Sequence, residues 1–438
     1  MAKYTFPGGI HPPYHKVTTG KAIERLQVPS ALFIPLCQHT GKPAKPLVKR
    51  GDDVKKGQKI AEADGFISAN IHAPTSGKIR TIIEHPHPVL LTSSPVIVIE
   101  PDGKDEWFEE PAERANWQES SPEDIVSAVK EAGIVGLGGA AFPTHVKLSP
   151  PKDKPIDTVI INGAECEPFL TADDRILQER AKEVLLGAYL IKKALGAGRV
   201  IVAIEDNKPE AAGKVSEVIG EFDGFELKIV KTKYPEGAEK QLIKALTKRE
   251  VPRGGLPMDV KCLVQNVQTA LAIYEAVRYG KPLIERVLTL SGDGARGAGN
   301  YLVRIGTKFL DVIEMTGGME EKVVKVINGG PMMGIAQYTL DVPVIKGTSG
   351  ILLFTHKTAK KFEEYNCIRC SKCVDVCPMG LLPLMLVEYV KAGRYFDAKE
   401  KYGLLDCIEC GSCAYACPSK INHVQWIKYG KQELRRAS

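Results

Sequence analysis

Eight of the eleven cysteines lie between residues 367 and 417, in two runs of identical spacing. Each run reads Cys-x-x-Cys-x-x-Cys-x-x-x-Cys-Pro. Three thiolates at this spacing curl around one face of an iron-sulfur cube, while the cysteine before proline normally binds the cube of the other run. The pattern predicts two [4Fe-4S] clusters, one held by Cys367, Cys370, Cys373 and Cys417, the other by Cys407, Cys410, Cys413 and Cys377.

Structural zinc is the alternative for these cysteines, because zinc sites also use Cys-x-x-Cys pairs. A zinc site needs four ligands, however, and does not call for a triplet followed by Cys-Pro, which occurs twice here. The iron-sulfur interpretation indicates an electron-transfer protein whose two clusters exchange electrons. The other cysteines, Cys37, Cys166 and Cys262, are isolated, and packing as small buried side chains is their favoured role, with Cys166 as the exception to watch.

A glycine-rich loop from Gly136 to Thr144 is a second candidate site. Glycines let backbone N–H groups approach a phosphate, and Lys147 follows closely enough to add positive charge. A polar segment, Asn162 to Pro168, directly follows the apolar strand residues Val159 to Ile161. Because open α/β sheets bind ligands at the carboxyl ends of their strands, the two segments together predict a nucleotide-like ligand. A plain glycine turn and solvated loop acids are the alternatives.

These segments resemble the flavin- and NADH-binding subunit of respiratory complex I, and Tyr234 to Glu239 and Gln265 to Thr269 match further parts of its site. Departures are Ala141 in place of a glycine and Ala238 in place of an acid. The resemblance implies noncovalent FMN with NAD(H) as substrate, and no side chain acting as a catalytic acid or base. The residues that it implies for FMN or nucleotide binding are Gly136, Gly138, Gly139, Ala140, Phe142, Lys147, Asn162, Glu165, Glu167, Tyr234, Gly237, Glu239, Asn266 and Thr269. Among these, Phe142 and Glu167 are expected to face the nicotinamide nucleotide.

Four predicted domains position these residues, in a multidomain α/β plus β fold. Residues 1–105 have short β-branched runs between turn residues, and they resemble the barrel-sandwich domains of biotinyl and lipoyl carriers without the modified lysine. Residues 106–285 alternate helical and apolar strand segments, which is typical of a mostly parallel, Rossmann-like α/β domain. Residues 286–355 resemble a ligand-binding β-grasp module of the SLBB kind. Residues 356–438 are predicted to be helical around the cysteine runs.

The composition is that of an ordinary globular protein, with 44% hydrophobic and 26% charged residues. A net charge of +6, spread along the chain, falls short of a nucleic-acid-binding stripe. The residues Met1 to Gly9 show no secretory signal. The apolar stretch from Leu381 to Val390 is far shorter than the roughly 20 residues needed to cross a bilayer. We therefore expect no transmembrane segment, no nucleic acid, a reducing compartment, and membrane association only through partners.

The order of these parts resembles the C subunit of the Rnf family, as do Thr5 to Pro12 and Tyr234 to Gln241. In that family a membrane assembly couples electron exchange between reduced ferredoxin and NAD to the pumping of Na⁺ or H⁺. The resemblance implies an oxidoreductase subunit of translocase type, peripheral on the cytoplasmic side of the bacterial inner membrane. Its implied partners are the other subunits of the complex, including an iron-sulfur B-type subunit. Ferredoxin is implied as an indirect partner. A soluble NADH-dependent flavin iron-sulfur reductase and a flavin-free iron-sulfur relay adaptor are the alternatives.

Overall fold

The computed structural model describes residues 4–437; residues 1–3 and 438 lie outside it. The N-terminal region contributes eight strands: β1 (Ile23–Arg25), β2 (Leu32–Pro35), β3 (Lys45–Pro46), β4 (Asp53–Val54), β5 (Lys59–Glu62), β6 (Ile71–His72), β7 (Gly77–Pro86) and β8 (Ser93–Pro101). Two antiparallel sheets, β2-β8-β7-β4 and β3-β5-β6, face one another. Their inward side chains, such as Ile34, Ile60 and Ile97, form one apolar core.

The next region forms an α/β layer around a parallel sheet. Its helices and strands are α1 (Pro122–Glu131), α2 (Thr144–Lys147), β9 (Thr158–Gly163), α3 (Ala172–Leu195), β10 (Arg199–Glu205), α4 (Pro209–Val218), β11 (Phe225–Val230), α5 (Glu239–Thr247), β12 (Cys262–Asn266) and α6 (Val267–Tyr279). Helix α1 begins with a capping box between Ser121 and Asp124 and has proline in its first turn. Helix α3 ends at Gly196, whose φ of 62° suits a left-handed cap.

The strand order of the parallel sheet is β11-β10-β9-β12, as the predicted parallel sheet requires. From β9 the chain moves outward through β10 to β11, and then returns to place β12 on the other side of β9. Neighbouring strands that lead to opposite sides create a crevice at their carboxyl ends, where ligands of such sheets bind. This switch point therefore lies between β9 and β12.

A six-stranded sheet follows, with α7 (Phe309–Met315) packed on it. Its own strands are β13 (Glu285–Ser291), β14 (Gly299–Arg304), β15 (Val323–Asn328), β16 (Ile335–Gln337) and β17 (Gly350–Thr355). The strand order is β1-β14-β13-β17-β15-β16, so the N-terminal β1 completes one edge. Strands β13 and β14 pair as an antiparallel hairpin, with Glu285 opposite Arg304.

The C-terminal region is helical. It contains α8 (Lys372–Asp375), α9 (Pro383–Lys391), α10 (Tyr395–Tyr402), α11 (Ser412–Ala416) and α12 (His423–Arg436). Helices α9, α10 and α12 bury Leu386, Val390, Ala398 and Ile427 between them. Short 3-10 turns occur at Trp117–Glu119, Ile219–Glu221, Pro257–Val260 and Leu404–Asp406. Among the described helices none combines the length and apolar character needed to cross a bilayer. The domain boundaries at 105, 285 and 355 stay predictions.

Candidate functional site

The eight cysteines of the two runs surround two separate cavities. The first, which we call the inner ring, is lined by Cys377, Cys407, Cys410 and Cys413. The second, the outer ring, is lined by Cys367, Cys370, Cys373 and Cys417. Each ring combines three cysteines of one run with the Cys-Pro cysteine of the other, which is the grouping that the sequence predicts.

The two loops that carry the cysteine triplets share an unusual backbone shape. Arg369 and Ser371 in the first run, and Glu409 and Gly411 in the second, all have φ between 55° and 80°. Left-handed φ is uncommon for residues other than glycine. In both loops this curl brings an N–H group to the first cysteine: Arg369 N lies 3.4 Å from Cys367 Sγ, and Glu409 N lies 3.4 Å from Cys407 Sγ. Such N–H groups tune the potential of iron-sulfur clusters.

The inner ring has surroundings that suit a buried cluster. Leu386, Ile408 and Ile427 line it with apolar surface. Burial raises the pKa of Cys407 to about 11 and that of Cys413 further. Because cluster ligands are thiolates, iron binding has to displace these protons. Within the described part of the chain, no three His, Cys, Asp or Glu side chains converge closely enough to hold a single metal ion.

The second part of the site lies at the switch point between β9 and β12. Asn162 and Asn266 stand side by side in register at the ends of these strands. Asn162 Nδ2 donates to Gly237 O at 2.8 Å. Asn266 caps α6 by accepting from Gln268 N at 2.8 Å. Two of the predicted ligand-binding segments are thus fixed at one edge of the parallel sheet by their own asparagines, and a third is tied to them through Gly237.

The glycine loop closes over the start of α6. Gly136 N donates to Phe142 O at 2.9 Å, and Leu137 N donates to the buried Thr269 Oγ1 at 2.9 Å. Between these anchors, Gly138 to Ala140 are exposed. A methyl group on Gly138 would lie 3.4 Å from the Asn266 side chain, so the loop passes close to the end of β12. The exposed loop beside a helix N-terminus is an arrangement that suits a phosphate.

Lys147 and Glu239 meet on the same side of the crevice. Lys147 Nζ lies 2.7 Å from Glu239 Oε1 and 2.8 Å from Val264 O. This pair connects α2 to the first residue of α5 across β12. Both side chains are partly exposed, and the ammonium group remains the positive charge nearest in sequence to the glycine loop.

Glu165 and Glu167 are held by backbone N–H groups. Glu165 accepts from Asp173 N at 2.8 Å and Asp174 N at 3.2 Å, at the start of α3. Glu167 accepts from Met332 N and Met333 N at 3.0 and 2.8 Å. Burial raises the pKa of each carboxyl to about 7, although these N–H groups oppose the shift. The structure thus places both acids beside the crevice with their oxygens engaged by the protein.

Tyr234 joins the crevice to the inner ring. Its side chain is 1% exposed, and its hydroxyl donates to Cys410 O at 2.7 Å. Cys166, the exception among the isolated cysteines, lies in the same apolar cluster, and a methyl group on Gly237 would come within 3.2 Å of its sulfur. The crevice and the inner ring therefore share one wall.

The N-terminal residues also take part in this wall. Gly9 N donates to Val376 O at 2.9 Å, while Ile10 exchanges two backbone hydrogen bonds with Tyr234. Gly8 has φ of 76°, and a methyl group on it would lie 2.8 Å from Cys377 O. The sequence of Thr5 to Pro12 resembles that of the Rnf family, but it gave no indication of this structural role.

Several charged residues that support the crevice were not predicted. Lys16 Nζ donates to the carbonyls of Glu165, Glu167 and Leu170. The Asp173 carboxylate accepts from Asn266 Nδ2 at 2.6 Å and from Gln268 Nε2 at 2.8 Å. Lys16 carries no sequence signal, since its partners lie about 150 residues away. Asp173 was detectable only as an acid in the first turn of a helix, where many acids lie.

Arg286 is a further support that sequence reasoning missed. It is 2% exposed on β13, and it donates to Lys346 O at 2.6 Å and Leu137 O at 3.3 Å. Arg286 thereby links the six-stranded sheet to the glycine loop. The sequence feature that could have identified Arg286 is its charge within a strand whose other residues are mostly apolar or small.

Four families of domains match the chain, in the order predicted. Residues 4–104 match the RnfC barrel sandwich hybrid domain, residues 129–275 the Nuo51 FMN-binding domain, residues 287–336 the SLBB domain, and residues 366–421 the 4Fe-4S dicluster domain. These matches confirm the predicted fold class and the predicted cofactors, FMN and two [4Fe-4S] clusters.

The chain is also similar to curated proteins over nearly its whole length. It is 51% identical over 436 residues to the C subunit of the proton-translocating ferredoxin:NAD(+) oxidoreductase complex of Clostridium ljungdahlii, covering 99% of this chain and 94% of that protein. It is 45% identical over 388 residues to the C subunit of the Na(+)-translocating complex of Acetobacterium woodii, covering 88% and 87%. It is 44% identical over 440 residues to the C subunit of the ion-translocating oxidoreductase complex of Rhodobacter capsulatus, covering 99% and 84%.

Among solved structures, chains of an NAD+-reducing [NiFe]-hydrogenase resemble this one. The H2-reduced form aligns with a TM-score of 0.50 and 18% identity, covering 74% of this chain and 62% of that one. The air-oxidized form gives 0.51 and 19%, covering 70% and 63%. At this identity the likeness concerns the fold alone. The whole-length identities, together with the matched N-terminal domain, confirm the resemblance drawn from the sequence: this chain belongs to the family of Rnf complex C subunits.

Proposed function

We propose that this chain is the peripheral subunit of a membrane ion-translocating complex, in which it exchanges electrons between NAD(H) and ferredoxin-type carriers. The shared wall between the crevice and the inner ring supports this most directly, since Tyr234 belongs to one and hydrogen-bonds the other. NAD chemistry moves two electrons as hydride, and clusters accept one at a time. A flavin beside a cluster is what links the two.

The crevice residues fit FMN. The exposed loop Gly138 to Ala140, the positive end of α6 and Lys147 together provide N–H groups and charge for its phosphate. Bound there, FMN would supply the chemistry that links hydride exchange with NADH to single-electron exchange with iron-sulfur clusters. The residues that we propose to hold FMN are Gly136, Gly138, Gly139, Ala140, Lys147, Asn162, Glu165, Tyr234, Gly237, Glu239, Asn266 and Thr269. We propose that Phe142 and Glu167 face the nicotinamide nucleotide.

The two departures from the complex I pattern are compatible with this proposal. Ala141, which replaces a glycine, has φ of 49°, so its backbone keeps the left-handed shape that favours glycine. Ala238, which replaces an acid, stands at the N-cap of α5 with no side-chain hydrogen bond. Its missing carboxylate makes the start of α5 more favourable to an anionic ligand, because an acid there would compete for the same N–H groups.

The rings differ in exposure, which suggests an order for electron transfer. The inner ring packs against the crevice through Ile10, Tyr234 and Ile408. In the outer ring, Cys367 and Cys370 are exposed, whereas the inner cysteines are buried or half-buried. We propose that the inner cluster exchanges electrons with the flavin and that the outer cluster exchanges them with a partner. The apolar shell of the inner ring would exclude water from the shared wall.

We also propose the partners and the location that the family implies. The chain would lie on the cytoplasmic side of the bacterial inner membrane, against other subunits that include an iron-sulfur B-type subunit, with ferredoxin reached indirectly. The rival soluble reductase would stay in solution. Cell fractionation separates the two: the proposal expects the chain to pellet with membranes and to be released by salt or mild detergent.

The proposed cofactor content is tested by purifying the chain without oxygen and measuring iron, acid-labile sulfide and FMN. The expected result is about eight irons and one FMN per chain. About eight irons with no flavin, and no binding of added FMN, would leave the relay adaptor as the better description.

A further inference from the structure

The residues from Lys360 to Lys372, which we call the outer segment, are exposed at every position, and the structure describes all of them. The segment leads from β17 to α8 and has neither helix nor strand before Lys372. It carries two ligands of the proposed outer cluster, Cys367 and Cys370. Phe362 and Tyr365 are each 64% exposed, and Ile368 is 68% exposed. Large apolar side chains gathered on a cluster-bearing segment indicate a surface that is covered in the assembly.

The second cysteine run shows how such a loop is covered. Ile408 occupies the same position in its run as Ile368 does in the first. Ile408 packs with Ile10 and Tyr234 and is half-buried. The inner loop is therefore covered by the chain's own flavin region. The outer loop has the same backbone shape and an equivalent apolar residue, with solvent in place of that cover.

The charges around the outer segment indicate the sign of its partner. The segment contains Lys360, Lys361, Arg369 and Lys372 against two acids, Glu363 and Glu364. Glu364 is already paired with Lys391 at 3.0 Å. Lys420 adds a further positive charge, with its Nζ 4.8 Å from the centre of the Phe362 ring. The segment therefore combines exposed apolar side chains with a surplus of basic ones, which is complementary to an acidic partner.

We propose, on the basis of the proposed function, that the outer segment is the docking surface for an acidic iron-sulfur subunit of the same complex. Encounters with mobile carriers are small, whereas three large apolar side chains favour a lasting contact. One electron would pass between the outer cluster and the partner's cluster, so that one is oxidised as the other is reduced. No bond is made or broken and no proton moves.

The test uses purified holoprotein and washed membranes from cells that lack this chain but make the rest of the complex. The holoprotein is titrated onto these membranes, and the bound fraction is measured after pelleting. Phe362→Ala combined with Tyr365→Ala should weaken rebinding about tenfold or more, since a few buried aromatic anchors carry most of the affinity of an interface. Phe396→Ala is the matched control, because Phe396 is 59% exposed on α10 of the same region. Iron and FMN content show that each variant is folded and loaded.

A second variant tests the charge without removing apolar surface. Lys360→Glu with Lys361→Glu should weaken rebinding at low salt, and the remaining binding should depend less on ionic strength than that of the wild type. Normal rebinding by both double variants would overturn the proposal. A loss of rebinding by Phe66→Ala, but not by the double variants, would also overturn it. Phe66 is 76% exposed on the N-terminal β-region, so that result would place the docking surface there. Variants that rebind normally but exchange electrons slowly with an added soluble ferredoxin would identify a mobile carrier instead, which also contradicts it.

The proposed function is tested separately in the same preparations. Without membranes, reduced holoprotein is mixed with NAD⁺, and reoxidation of its clusters is followed. Failure there would count against the NAD-linked function, whereas normal reoxidation with unaltered rebinding of the variants would count against the docking surface alone.

Discussion

At the scale of single residues, Lys147 is the sharpest test of the flavin site. Lys147→Ala removes the ammonium group beside the glycine loop and leaves Glu239, its partner at 2.7 Å, as an unpaired negative charge. We expect FMN to bind about tenfold more weakly or worse, because a hydrogen bond to a charged group contributes about 1.5–3 kcal/mol. Bound FMN is measured by fluorescence after the protein is denatured.

Lys154→Ala is the control for this experiment. Lys154 forms a pair of similar length, 2.6 Å, with Asp259, but on the exposed surface of the same region. Its loss should leave FMN content unchanged. Full FMN occupancy in Lys147→Ala would remove that lysine from the site.

The acids of the Asn162 to Pro168 segment show where residue-level prediction stops. The sequence placed Glu165 and Glu167 at the end of a strand, and the structure shows them there. Their hydrogen-bond partners are backbone N–H groups of α3 and of residues Met332 and Met333. A pattern of residue types cannot reveal which of several nearby donors a carboxylate will choose, particularly a donor 165 residues away.

At the scale of elements, the arrangement of the two cysteine loops predicts that each cluster takes its fourth cysteine from the other run. If each ring takes its fourth cysteine from the other run, Cys377→Ser damages the inner cluster although it lies in the first run. Cys377→Ser and Cys377→Ser/Cys410→Ser should then both retain about four irons per chain. Cys377→Ser/Cys370→Ser should lose both clusters. Iron analysis and EPR of anaerobically purified variants measure this, and the reverse pattern between the two double variants would show that each run binds its own cluster.

The N-terminal stretch makes a second prediction at this scale. Gly8→Ala places a methyl group 2.8 Å from Cys377 O at a φ of 76°, so this stretch must move away from the inner ring. We expect faster loss of iron from the inner cluster on exposure to a chelator and a lower melting temperature. Gly20→Ala is the control, because nothing lies within 4 Å of the added methyl group there. Equal iron retention in both variants would show that the N-terminal stretch does not support the ring.

At the scale of the whole molecule, Lys346 connects three regions. It is 1% exposed, and its Nζ donates to Asn70 O at 2.7 Å and Gly133 O at 2.6 Å. Burial lowers the pKa of Lys346 to about 7, from 10.5 in an exposed lysine. Between these two values the unfolded chain binds a proton that the folded chain has released. The contribution of this group to the free energy of unfolding therefore rises with pH between about 7 and 10.5, and it is fully lost once pH has fallen to about 7, where both states carry the proton.

Lys346→Met should abolish this dependence. Between pH 7 and 9 the wild type should gain up to about 1 kcal/mol per pH unit relative to the variant. Melting temperatures across this range, with the exposed Lys357→Met as control, measure the difference. Parallel pH profiles for wild type and Lys346→Met would contradict the assignment.

Local patterns predicted much of this molecule. Cysteine spacing predicted the two rings, and strand-end polarity predicted the crevice, because both depend on neighbours in sequence. The sequence could not predict the pairing of β1 with β14 or the contacts of Lys16 and Arg286. The β1-β14 pairing, the Lys16 contacts and the contact of Arg286 with Leu137 O join residues more than 140 positions apart, and their side chains match many alternatives equally well until the regions are packed.

Electron exchange between the clusters and NAD through the flavin is the central claim, and one measurement tests it directly. The anaerobic holoprotein is photoreduced, NAD⁺ is added, and cluster absorbance is followed together with NADH formation. FMN-loaded protein should reoxidise its clusters as NADH appears, and protein stripped of FMN should do so only after FMN is restored. Clusters that stay reduced in FMN-loaded protein, or that reoxidise equally fast without FMN, would contradict it.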